Sequence, residues 1–178
     1  MKDVAKVVSD LVKDGAELVK GVVVRNAIVK DSKKENANGD AQQYLVLTLN
    51  KDVNQYRKDD NGDYQPVVQP SCWVSLFGVL SHLSNNEKLA WSRNYFSRNP
   101  QKLELLLSYA TVDLIMVHVE PGTDDEGNAA VHVNPFSDTD KGREIEHEDI
   151  YTYITKLTLG DMGKKVLDTV LDNMLKDA

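Results

Sequence analysis

Near the start of the chain, Val4, Val7, Val8, Leu11 and Val12 recur at helical spacing, and Gly15 marks where the helix they predict should end. The period then changes. Val22 to Lys30 is rich in β-branched residues, and Tyr44 to Leu49 alternates with Leu45, Leu47 and Leu49 on one side, so two strands are predicted. A polar stretch, Asp31 to Gln43, separates them and contains the turn dipeptide Asn38-Gly39. A second polar stretch, Asn50 to Pro66, is centred on Asn61-Gly62 and reads as a long hairpin joining antiparallel strands.

The third strand is expected over Val67-Val68 and then Ser71 to Phe77, with Pro70 implying an edge or a bulge. Residues 79–109 lose period-two order and read as one or two helices, interrupted at Pro100. Thr111 to Val119 and Ala129 to Val133 form a last predicted hairpin around the acidic turn Glu120 to Asn128. Residues 134–149 show no apolar period and read as a surface linker or a partly disordered one. Met162, Val166, Val170, Leu171 and Met174 predict a helix in the tail.

Composition narrows the class of protein. The 178 residues, 41% hydrophobic and 28% charged, suit one ordinary globular domain. The single Cys72 cannot form an internal bridge, and no secretory leader is evident, so an intracellular, cytoplasmic protein is expected. No apolar run approaches the roughly 20 residues that span a bilayer. The net charge of −7 is unevenly spread: residues 20–58 carry 8 basic and 4 acidic groups, residues 101–178 carry 7 and 16. A polyanion could be held by the basic part of an acidic chain, or the segregation could be chance.

The predicted order, three strands, a helical insertion and a closing hairpin, is that of a mainly β protein with helical additions: a five-stranded OB-fold Greek-key barrel flanked by N- and C-terminal helices. The segment Trp73-Val74-Ser75-Leu76-Phe77-Gly78-Val79-Leu80 resembles the third-strand signature of bacterial-type single-stranded-DNA-binding proteins. Gly21 to Lys30, Tyr44 to Lys51 and Val112 to Val133 are similar to that family's first, second and closing strands. The resemblance implies an OB-fold DNA-binding domain over 20–136, after an N-terminal helix (1–19) and before an acidic linker and C-terminal helix (137–178). It further implies a nucleoid-associated or phage-encoded, non-enzymatic protein that coats single strands in replication, recombination or repair. Its expected partners are single-stranded DNA, a homo-oligomer of itself and replication or recombination proteins, with no cofactor and no membrane.

Sequence-tolerant binding of single strands needs aromatic faces for the bases and cations for the phosphates. In a regular third strand Trp73, Ser75 and Phe77 share one face while Val74 and Leu76 share the other. Trp73 and Phe77 are then either stacking platforms or packed beneath a terminal helix. Tyr44, Tyr56 and Tyr64 flank the long hairpin, and Tyr56 with Arg57 and Lys58 is either a stacking-plus-phosphate group or a solvated tip. Arg25, Lys30, Lys33, Lys34 and Lys51 are candidate phosphate contacts. Trp91, Arg93, Tyr95, Phe96 and Arg98 form a second aromatic and basic group for which helical packing is the better reading.

Enzymatic motifs are poorly supported. Glu144, Glu146, His147, Glu148 and Asp149 offer ligand types but sit in the expected linker, and the Asp59-Asn61-Asp63 start of a calcium loop lacks its Gly and its bidentate Glu. No phosphate-loop spacing occurs, and no metal site is expected. The contrasting class is a structural or protein-interaction module that uses the same barrel as a scaffold, with RNA binding a weaker alternative.

Overall fold

The computed structural model describes residues 3–35, 41–84, 95–96 and 98–176. Helix α1 is Val4–Lys13, capped by the Asp3 carboxylate, which accepts from the Lys6 backbone N–H at 3.4 Å. None of its residues is buried. Strands β1 (Glu17–Glu35), β2 (Ala41–Lys58) and β3 (Tyr64–Ser75) follow, then helices α2 (Leu76–Ser84) and α3 (Pro100–Leu107), then strand β4 (Thr111–Val119). Two short strands, β5 (Val131–His132) and β6 (Arg143–Glu144), pair with each other before β7 (Asp149–Thr158) and helix α4 (Asp161–Lys176).

The five long strands make one antiparallel sheet in the order β3-β2-β1-β4-β7. β1 belongs to both halves: its first part pairs with β4 and its second with β2. Register breaks at Val19/Val22 and Val24/Asn26 fall where it changes partner, and such bulges bend a strand and increase its twist. A further break between Thr48 and Val53 bends β2 and carries the β2–β3 hairpin toward β7. There Gln55 Nε2 donates to Thr152 Oγ1 at 2.9 Å, and His82 Nε2 of α2 lies 2.7 Å from the Ile154 carbonyl oxygen. No backbone ladder joins β3 to β7, so the sheet remains open.

The core is set by alternation. Ala27, Leu47 and Cys72 form one cross-strand row on the inner face, and Val29, Leu45 and Val74 form the next. Val79, Leu80, Leu103, Leu106 and Leu107 from α2 and α3 cover them, with Phe96 fully buried beside Tyr95. Cys72 is a core side chain whose thiol burial pushes up to about 12, so it stays protonated at neutral pH. Helix α4 docks through Val166, Leu167 and Val170, and a Cβ at Gly163 would lie 2.5 Å from the Leu106 carbonyl oxygen. Only glycine permits that approach of α4 to α3.

Three expectations change. The partner of β4 is Asp149–Thr158 rather than Ala129 to Val133, because Thr152 and Ile154 are the inward pair that continues the sheet. Residues 134–149 are built rather than linker-like. Asp140 accepts from the Asn134 N–H at 2.7 Å, Ile145 N–H donates to the Ala130 carbonyl at 2.9 Å, and Phe136 meets Tyr153 edge-on at 5.6 Å. Finally, β3 ends at Ser75 and α2 starts at Leu76, so Phe77 sits on a helix and the alternation linking it to Trp73 is lost.

Because Leu47 is 1% exposed and central to the inner face, Leu47→Ala should cost about 2–5 kcal/mol of unfolding free energy, read from urea denaturation. A cost under about 1 kcal/mol would place Leu47 outside the core.

Candidate functional site

The outer face of β1, β2 and β3 is the reverse of the core rows. Ile28, Val46 and Trp73 lie in cross-strand register, with Lys30, Tyr44 and Ser75 on one side and Asn26, Thr48 and Ser71 on the other. Trp73 is 64% exposed and Ile28 42%, values that separate them from ordinary half-buried sheet positions. The Tyr44 and Trp73 rings sit 5.5 Å apart at 44°, a tilted pair on the solvent side of the sheet. No described helix covers this face. It therefore offers two neighbouring π surfaces on an aliphatic floor of Ile28 and Val46, with the Lys30 ammonium group at the edge.

Several expected residues join this face, and others do not. Trp73, Tyr44 and Lys30 share it, while Arg25 is exposed in the β1 bulge beside Asn26. Lys33 and Lys34 continue β1, but their side chains lie outside the described ones, as does that of Phe77. Lys51 is exposed at the β2 bulge, and Arg57 and Lys58 are exposed near the hairpin tip. That tip is tight: Asp59 Oδ1 accepts from the Asn61 and Asp63 N–H groups at 2.9 Å, with Gly62 at φ +85°.

Tyr56 belongs elsewhere. Its hydroxyl donates to Glu148 and its ring lies 5.9 Å from that of His118, so it joins the β2–β3 hairpin to the ends of β4 and β7. The hydrogen bond to Glu148, aided by the charges of Glu148, Glu120 and Asp149, raises the Tyr56 phenol to about 12. The hydrogen bonds from Tyr56 and His118 in turn hold the Glu148 carboxyl below its usual range. Tyr64 is likewise engaged, stacked on His147 at 3.5 Å and 3°. A cleft of about 370 Å³ opens beside Tyr56, lined by Glu17, Gln55, Val68 and His118. Of the second aromatic and basic group, Phe96 and Tyr95 pack inward and Arg98 is exposed; Trp91 and Arg93 lie outside the described residues.

Sequence reasoning missed Ile28 and Val46 as part of the open face. The outward period of Asn26, Ile28 and Lys30 carried that signal, but apolar residues in strands are ordinarily assigned to a core. His118 and Glu148 were also missed as neighbours, since only the β4–β7 register brings them together.

Compared with family models, with curated proteins and with solved structures, the chain matches none. Among the described residues no helix is long and apolar enough to cross a membrane.

The segment between β4 and β7 is anchored by His132, stacked on Tyr151 at 4.4 Å with Nε2 2.6 Å from the Tyr153 hydroxyl. Burial lowers its pKa from 6.5, against a smaller opposing effect of Asp140. A base with a lowered folded pKa binds fewer protons folded than unfolded, so stability falls as pH drops below about 6.5. Wild-type urea midpoints should decline between about pH 7 and pH 5, and His132→Gln should reduce that slope. An unchanged slope in the variant would remove His132 as its source.

Proposed function

We propose that this chain is a non-enzymatic OB-type barrel that binds single-stranded DNA without strong sequence preference on the outer face of β1, β2 and β3. The observation that carries the reading is the exposed Trp73–Tyr44 pair on β2 and β3, because the face of the second and third strands is where a partly open Greek-key barrel of this kind takes oligonucleotides. The strand order β3-β2-β1-β4-β7, with the helices inserted before β4, supports the same barrel class. Base stacking on Trp73 and Tyr44 supplies affinity that every base can use, and Lys30 with Arg25 supplies phosphate contact. Ile28 and Val46 extend the apolar floor beneath the stacked bases. A role in coating single strands during replication, recombination or repair, in the cytoplasm or nucleoid, follows from that activity.

A second reading draws on α1. Its stripe of Val4, Val7, Val8 and Leu11 is only half-buried, and this favours a protein-interaction or oligomer-forming module on the same scaffold.

The two readings part in a fluorescence titration. In Trp91→Phe, which leaves Trp73 as the one indole, a mixed-sequence single strand should quench emission at low salt, and added salt should weaken the binding. Duplex DNA should bind more weakly. Trp73→Ala should cost about 1–3 kcal/mol of binding free energy, read by anisotropy of a labelled strand. No binding of DNA or RNA by folded protein at low salt would favour the interaction module, and unchanged affinity in folded Trp73→Ala would remove Trp73 from the interface.

A further inference from the structure

At the end of the sheet away from the open face, the β4–β7 ladder runs His118 to Ile150 and Val119 to Asp149. Continued by one residue, the same register sets Glu120 opposite Glu148. Like charges directly opposite on neighbouring strands repel, and among the described residues no Lys or Arg pairs with either carboxylate. His118, two residues before Glu120, points to the same side, and its Nε2 lies 3.0 Å from Glu148 Oε1. One donor atom from each of His118, Glu120 and Glu148 falls within 4.8 Å of the others. All three side chains are exposed to solvent, so an ion could reach them freely.

We propose that His118, Glu120 and Glu148 form a site for a borderline divalent cation of the zinc class. The donor set decides the class: one imidazole nitrogen with two carboxylates suits zinc and its neighbours, whereas calcium and magnesium favour oxygen-only shells. The cation is held through His118 Nε2 and one oxygen each of Glu120 and Glu148, and it offsets the negative charge that the two carboxylates bring together there. Tyr56, whose hydroxyl already reaches Glu148, stands beside the site and links it to the β2–β3 hairpin. Binding therefore ties the ends of β4 and β7 to that hairpin. It fastens the open side of the sheet and requires nothing of the DNA-binding reading.

The test uses the full chain, stripped with chelator and desalted, titrated calorimetrically with zinc chloride and followed in parallel by thermal unfolding. One equivalent should bind saturably and raise Tm, and calcium should bind more weakly. His118→Ala, Glu120→Gln and Glu148→Gln should each weaken zinc binding by about tenfold or more, since even outer partners of a metal ligand can matter that much. His147→Ala, which alters the ring stacked on Tyr64 next in the chain, should keep wild-type affinity. No saturable zinc binding by the folded chain, or binding that survives all three ligand substitutions, would overturn the proposal. Tighter binding of calcium than of zinc would overturn the role given to His118.

Discussion

The molecule depends on the register of β2. Hydrogen-bonded to β1 on one edge and β3 on the other, β2 sends Leu45, Leu47 and Leu49 into the core and leaves Tyr44, Val46 and Thr48 on the opposite face. Strand side chains repeat every second residue, so a slip of one would exchange the two sets. The slipped chain would bury Tyr44 and Thr48 and expose three leucines. The burial that holds the sheet together therefore also fixes which aromatic residues reach solvent, and Trp73 is presented outward because Cys72 and Val74 are committed inward.

Curvature is the second constraint. A flat five-stranded sheet would leave one face of the core open, whereas the bulges in β1 and β2 let the ends approach. The approach stops short of a ladder between β3 and β7, and side chains carry the junction instead: Gln55 to Thr152, His82 to the Ile154 carbonyl, Tyr64 on His147 and Tyr56 to Glu148. Burying Gln55 and Thr152 is tolerable because each satisfies the other. This polar seam explains why the tyrosines of the β2–β3 hairpin have separate roles. Tyr44 faces the open platform, and Tyr56 and Tyr64 are held across the seam.

The first half of the fold was legible because its chemistry is local. Leu45, Leu47 and Leu49 announce a strand with one buried face, and the Val22 to Lys30 run needs no distant partner to be recognised. The closing strand was not, because its inward pair is Thr152 and Ile154 and its flanks are Tyr151 and Tyr153, a pattern without the usual aliphatic signature. Ala129 to Val133 looked the better strand, yet its pairing is limited to Val131 with Glu144, His132 with Arg143 and a single bridge from Ala129 to Thr123. At the site, alternation correctly set Trp73 against Val74. It misled for Phe77, where the strand ends at Ser75, two residues before the apolar run does, and helix α2 has already begun at Leu76. Tyr56 was read from its basic neighbours Arg57 and Lys58, while its actual partners, His118 and Glu148, lie 62 and 92 residues away in sequence.

The central claim is that bases lie on the face formed by Tyr44 and Trp73. Photocrosslinking to a single strand carrying 5-iododeoxyuridine, followed by mass-spectrometric mapping of the adducts, tests it most directly, since reaction requires the base to contact the ring. The account predicts adducts at Trp73 and Tyr44, suppressed by excess unlabelled strand. Adducts confined to other residues, such as the exposed Tyr109, with none on β2 or β3, would contradict it.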